Sequence, residues 1–422
     1  MLPSFLQPRI MQGMTFRLHQ SEVAPRPLGD LAAPKAPRYE TLTIWRGIAC
    51  LFVVVFHSVS TGYGLSFPDG PGPLAGPLAV VHRLWIGVPL FFVISGYCVT
   101  ASADAARRRP KPGPLFFWRR FHRIYPSYWL WFGIAALGVW GVEHFCRGFF
   151  ERVFIPNPNG FTNWQWLGNL TLTETWRWHF TGGVENELLT PSWTLCYEEQ
   201  FYALVGLALI FARRFFFGAL GSLTVAVIAG LFLFPMLGIG TMGLFLDGKW
   251  LMFAAGVVVY YALNYAPARA MSLVCLLLGF GALCSFAAPQ QLLLPRVNEP
   301  NQSYLCAFSF AMLLLVLHRW DAALTRSRLL RPFSFCGEMC YSLYLVHWPV
   351  VTVASWAFSR LGLRNPFAIL LLGVPFCLAV SLSLARLFHK LVERRFWNPA
   401  YSGTQQKTGT IPEPIPKPLS RP

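Results

Sequence analysis

The sequence predicts an all-α fold: a polytopic transmembrane helical bundle of about ten spans, with both termini cytoplasmic. Three observations predict it. Hydrophobic residues make up 55% of the chain and charged residues only 13%, with mean hydropathy +0.45, outside the range of soluble domains. Apolar runs of about 18–23 residues recur, each long enough to cross a hydrocarbon core. The polar connections alternate between basic and non-basic, and basic loops stay on the cytoplasmic side.

Taken in order, residues 1–40 are polar and Pro-rich; they read as a flexible cytoplasmic segment, with no cleavable signal. The transmembrane domain follows over 41–397. Its first run, 42–60, reads Ile44-Trp-Arg-Gly-Ile-Ala-Cys-Leu-Phe-Val-Val-Val-Phe-His-Ser58. The second, 84–103, is closed by the basic stretch Arg107 to Arg123. The third, 126–145, opens at Pro126 and leads into the largest outer loop, 146–192. The fourth, 193–212, returns to Arg213 and Arg214, and the fifth covers 216–236. Runs at 249–265 and 270–288 are short and close together; a re-entrant pair there would change the count by two. Runs at 302–318, 333–356 and 366–388 complete the set, with Arg319 to Arg331 between the first two of these. Residues 398–422, rich in Pro, Lys, Thr and Gln, read as a disordered cytoplasmic tail. Most of the 35 Lys and Arg residues fall in the alternate loops assigned to the cytoplasm. The net charge of +17 therefore reports topology, and no nucleic-acid partner is expected. The ten cysteines are scattered through apolar runs without a CxxC pair. They read as packing residues, and no metal is expected.

Five polar constellations interrupt the apolar runs. Arg46 and His57 lie eleven residues apart in the first. That is almost three helical turns, so the two share a face about 16 Å apart along the axis. Ionisable groups inside a span face a polar cavity or one another. At this separation they cannot touch, which suggests one polar path with two stations. A histidine near its ordinary pKa takes a proton from a hydroxyl around neutral pH. The second constellation, Phe91-Phe-Val-Ile-Ser-Gly-Tyr97, suits close backbone packing, and Ser95 can also hydrogen-bond a substrate. In the third, Arg119, Arg120 and Arg123 precede Pro126 at a helix entrance; beyond anchoring topology, such a group binds phosphates. The fourth, Pro191-Ser-Trp-Thr-Leu-Cys-Tyr-Glu-Glu-Gln-Phe-Tyr202, contains Trp193 and two adjacent carboxylates that point about 100° apart. Glu198 is one turn from Thr194 and Tyr202 and is the one favoured to face the site. Beside His57, it would orient the imidazole. The fifth, Tyr341-Ser-Leu-Tyr-Leu-Val-His-Trp-Pro349, puts Tyr344 and His347 on one face. Glu338 nearby is placed to pair with an arginine. The outer loop carries Trp164, Trp166, Trp176 and Trp178 with Glu174, Glu185 and Glu187; it suits an interfacial aromatic belt or a sugar-stacking lid.

Together, from about residue 40 to 397, these segments resemble the acyltransferase 3 family of integral membrane O-acyltransferases. The resemblance rests on Arg46-x10-His57, Phe91 to Tyr97, Arg119 to Tyr128, Ser192 to Tyr202 and Tyr341 to His347. It departs at the end, where Leu391-Val-Glu393 matches but Arg395 replaces a usual proline. The resemblance implies transfer of an acyl group, commonly acetyl, from acyl-CoA to a hydroxyl. The acceptor is then a carbohydrate of the cell envelope or an exported small molecule, and the setting is the lipid of a bacterial inner membrane. It makes His57, Arg46 and Glu198 the catalytic candidates. Arg119, Arg120 and Arg123 become the coenzyme A phosphate contacts, with Ser95, Tyr344, His347 and Trp193 in support. A fused hydrolase-like domain, present in some members, is not expected here. The competing reading is a proton-coupled secondary transporter or exporter of a small anionic or acylated metabolite, which also uses intramembrane Arg, His and Glu.

Overall fold

The computed structural model describes residues 39–60, 74–145, 155–287, 301–363 and 365–396. The terminal segments anticipated above lie outside these, except for Tyr39 and Glu40. Among the described residues the fold is helical throughout, without strands. The chain runs through α1 (Leu42–Ser60), α2 (Ala75–His82), α3 (Gly87–Ala106), α4 (Pro112–Phe145), α5 (Asn163–Thr171) and α6 (Glu174–Thr181). It continues through α7 (Trp193–Phe211), α8 (Phe216–Met236), α9 (Lys249–Asn264), α10 (Ala268–Ala287) and α11 (Asn301–Leu317). Then follow α12 (Asp321–Arg326), α13 (Arg331–Glu338), α14 (Cys340–Arg360) and a final helical stretch, α15 (Pro366–Phe396).

Among the described residues, six segments are long and apolar enough to cross a membrane: α1, α2 with α3, α8, most of α10, α11 with α12, and α15. The other four expected runs form α4, α7, α9 and α14. These are richer in Trp, Tyr and polar side chains, or shorter, and they carry the polar constellations.

The first span sits at the centre, packed on α3, α13, α14 and α15. Two glycine contacts bring backbones together there. A Cβ on Gly96 would lie 2.0 Å from the Phe253 carbonyl oxygen, and one on Gly256 would lie 1.9 Å from that of Val93. The α3–α9 crossing is thus a small-residue seam, as in close helix pairs in membranes. Gly47, next to Arg46, meets the Phe333 carbonyl in the same way, and Gly337 meets that of Thr43, which locks α13 against α1. Gly96→Val should destabilise the bundle by roughly 1–3 kcal/mol or more through overpacking, read as a lower midpoint of thermal unfolding in detergent. An unchanged midpoint would show that α3 and α9 can move apart freely.

The basic connections collect at one end. Asp104 at the end of α3 is fully buried and pairs with Arg107 and Arg108, while Tyr260 and Tyr265 donate to it at 2.8 and 2.7 Å. Arg213 donates to the carbonyls of Arg107 and Arg109. Asp321 accepts from the backbone N–H groups of Glu40 and Thr41 and from the Thr41 hydroxyl. These bonds gather the start of α1 and the ends of α3, α7, α9 and α11 on one arginine-rich face.

Two expectations change in detail. Pro126 does not begin a helix. The α4 helix starts at Pro112 and passes through it, so the arginines ride on its body rather than at its N-terminus. Proline there removes one ladder hydrogen bond, a loss that packing on both sides tolerates. The expected run 333–356 is two helices, broken at Met339 (φ −102°, ψ 19°). The tight seat of Gly337 on Thr43 directs α13 along α1 before α14 departs.

Candidate active site

The site is a path of polar side chains between α1, α3, α4, α7 and α14. At its arginine end stands Arg46. Cys98 of α3, Cys340 of α14, and Glu198 and Tyr202 of α7 lie within electrostatic range of it. Arg46 sits among four helices and is half-buried. Ser95 is one turn before Cys98 on the same face of α3 and is likewise only half-buried. The motif around it therefore does two jobs, with Gly96 turned to α9 and Ser95 turned to the path.

Glu198 accepts a hydrogen bond from the Tyr202 hydroxyl at 2.6 Å. The guanidinium of Arg120 lies 5.2 Å from the centre of the Tyr202 ring and 5.6 Å from that of Phe116. Glu198 thus sits between two guanidinium groups, Arg46 and Arg120. The expected stripe of Thr194, Glu198 and Tyr202 exists, but Glu198 serves the arginine half of the path. Of the three α4 arginines, Arg120 turns inward; Arg119 is half-buried and Arg123 exposed. Arg119 and Arg123 are one turn apart, so an anion bridging them lies at the rim of the bundle. Glu338 is exposed.

His57 stands at the other end. His347 of α14 packs on it with ring centres 5.5 Å apart, and Trp348 meets it edge-on at 5.1 Å. His347 is fully buried. Its Nδ1 lies 2.6 Å from the Tyr344 carbonyl and 3.2 Å from that of Leu343. Carbonyls only accept, so Nδ1 carries the proton and Nε2 the lone pair. That Nε2 is buried without a hydrogen-bond partner. The group packed against His57 is therefore an imidazole from α14, and the carboxylate expected beside it, Glu198, is bonded to Tyr202 instead. The two halves meet at Tyr344, whose hydroxyl contacts Thr194 Oγ1 at 3.1 Å and bonds the Pro191 carbonyl. Trp193 packs on Phe92 and Tyr197, with the Lys249 ammonium 5.7 Å from its ring centre; it braces α7 against α3.

The outer loop folds over this end as α5 and α6. Thr162 and Gln165 form a capping box that starts α5. Trp166 packs inward on Phe132 and Phe161, while Trp164 is exposed. Trp176 and Trp178 engage Phe180 and His179, so the four tryptophans do not share one face. The loop is pinned by Glu174, fully buried and paired with Arg177 at 2.8 Å. Within it, burial, reinforced by Glu185 and Glu174, pushes Glu187 up to about 8. A carboxyl raised above its ordinary value of 4.5 is still protonated in the fold where the unfolded chain has ionised. Stability is then full below the unfolded pKa and falls as pH rises toward 8. Glu187→Gln should remove that part of the slope, measured as thermal midpoint against pH; parallel curves for the two proteins would refute the shift.

A model of the acyltransferase 3 family, described as an acyltransferase domain, matches residues 39–386. The chain belongs to this family, and is a membrane acyltransferase. It is similar to the protein named "Putative membrane-bound transacylase BcsY" of Komagataeibacter xylinus, 26% identical over 83% of this chain and 80% of that one. It is also similar to the exopolysaccharide production protein ExoZ of Rhizobium meliloti (strain 1021), 26% identical over 71% of this chain and 88% of that one. No solved structure matches the chain.

Proposed function

We propose that this protein transfers an acyl group, acetyl in the simplest case, from acyl-CoA to a hydroxyl of a cell-envelope or exported glycan in a bacterial inner membrane. The observation that carries the reading is the two-ended site. Guanidinium groups at one end, Arg46 and Arg120, are joined through Glu198, Thr194 and Tyr344 to a pair of imidazoles at the other. The donor is a polyanion with a thioester at the end of a long arm, and it suits the arginine end. Arg119 and Arg123 hold its phosphates at the rim and Arg46 the deeper part of the arm. The acceptor hydroxyl suits the imidazole end. His57 either takes its proton directly, or first accepts the acyl group from the thioester, releasing coenzyme A as the thiol, and passes it to the hydroxyl. The hydroxyl oxygen attacks the acyl carbonyl, the carbonyl–sulfur or carbonyl–nitrogen bond breaks, and the departing thiolate or imidazole takes up a proton. The exopolysaccharide function printed for one relative supports a glycan acceptor.

The test is mass analysis of envelope glycans and secreted products from cells with and without the gene. Loss of an acyl increment names donor group and acceptor together. Identical glycans and products, with no acyl group missing anywhere, would overturn this assignment.

A further inference from the structure

At the arginine-rich end of the bundle, α15 outruns a hydrocarbon core. Val59, at the far end of α1, packs with Ile369 and Val374 near the start of α15. The two helices are level there, so the surplus length of α15 lies at its C-terminal end. The stretch Pro366–Phe396 has 31 residues, about 46 Å at the helical rise, against a core of about 30 Å. Roughly the last ten residues therefore reach the headgroup layer.

Those residues carry the charge. Arg386, Lys390 and Arg394 recur every four positions and are exposed, as is Arg395. A π-type turn over His389–Glu393 is wider than an α-helical turn. It offsets the drift of a four-residue spacing and keeps the three side chains in one row. Leu387, Leu391 and Phe396 are interleaved with them and are also exposed. The α13 helix extends the surface. The Arg386 guanidinium lies 5.5 Å from the centre of the exposed Phe335 ring, and Arg331 is exposed one turn before that phenylalanine.

The local carboxylate does not serve these cations. Glu393, the one acid on this stretch of α15, accepts from the fully buried Ser342 hydroxyl at 2.5 Å and from His389 Nδ1 at 2.8 Å. It is committed to α14. Topology requires cations on this side of the membrane, but not in one row at headgroup depth among exposed apolar side chains. Such a surface matches a lipid with an anionic headgroup. The apolar side chains meet its acyl chains, the long Arg and Lys stems snorkel, and the cationic heads meet its phosphate.

We infer that Arg331, Arg386, Lys390 and Arg394 form a docking surface for acidic phospholipid headgroups, at the junction of α13 with the end of α15. The surface is separate from the transfer site and does not depend on the transferase reading. Its occupant is a lipid of the leaflet on the arginine-rich side, whose phosphate is the counter-charge that Glu393 does not supply.

The experiment titrates detergent-solubilised full-length protein with phosphatidylglycerol, with phosphatidylcholine of the same chains, or with inorganic phosphate, and reads the unfolding temperature. Phosphatidylglycerol should raise it, and the other two should not. Each cation at a membrane surface gives roughly five-fold in affinity for anionic lipid. The triple variant Arg386→Gln, Lys390→Gln, Arg394→Gln should therefore need about a hundred-fold more phosphatidylglycerol for the same rise. Arg386→Lys with Arg394→Lys keeps the charge and should keep the response, which separates lost binding from lost folding. A second triple variant, Arg109→Gln, Lys111→Gln, Arg214→Gln, removes the same charge from exposed positions elsewhere and should respond as wild type. An equal rise with phosphatidylcholine would overturn the surface, and an equal rise with inorganic phosphate would make it a plain anion site. Equal weakening in the two triple variants would show that only net charge matters, and a wild-type response in the first would place the lipid elsewhere. Each of these results sinks the inference.

Discussion

His57→Ala should leave a folded membrane protein that still binds acetyl-CoA but transfers acyl groups roughly 10²–10⁴-fold more slowly, the usual worth of a positioned acid–base group. The side chain sits near the end of α1, packed by Phe56, His347 and Trp348. Its removal costs ring contacts but breaks none of the glycine seams that hold α1 to α13 or α3 to α9. Folding and activity should therefore separate. His347→Gln should have a smaller effect than His57→Ala, because His347 packs on the other imidazole and has its own Nδ1 committed to the α14 backbone. Both variants are read by acylated glycan per unit of folded protein. Wild-type product from His57→Ala would remove this histidine from the reaction, whatever the rest of the site does.

Arg46→Lys should weaken acetyl-CoA binding by about ten- to a hundred-fold, from the loss of charge-assisted hydrogen bonds worth about 1.5–3 kcal/mol. The substitution keeps the charge but loses the planar fork. The neighbourhood makes it informative. Glu198, tied to Tyr202 at 2.6 Å, and the thiols of Cys98 and Cys340 remain in place around either side chain. A lysine therefore still has its counter-charge, and the fold should hold. Calorimetry with acetyl-CoA checks the affinity. An unaltered value would place the donor elsewhere, leaving Arg119 and Arg123 at the rim as its contacts. A drop in turnover alone, with binding intact, would give Arg46 a role in the reacting step.

Much of this protein was legible before any coordinates. The 3.6-residue period of a helix puts Arg46 and His57 on one face wherever that helix lies. The cost of burying charge in lipid makes that face an inward one. The same arithmetic pairs Tyr344 with His347 and aligns Thr194, Glu198 and Tyr202, and the structure keeps each relation. The basic loops likewise gather on one face, as their composition required.

Relations between helices were not legible, because spacing along the chain says nothing about which face meets which. The choice of His347 rather than Glu198 beside His57 depends on how α14 and α7 pack around α1, with His347 against His57 and Glu198 bonded to Tyr202. Glu187 was visible only as one acid in a long loop. The chain on either side of it is held by Asn169, which bonds Asn186 and Leu188, and by Glu174, which accepts from the Asn186 N–H, contacts made only in the fold. Local periodicity comes from backbone geometry and survives in any context. A site assembled from five helices and a loop exists only once their surfaces have chosen one another.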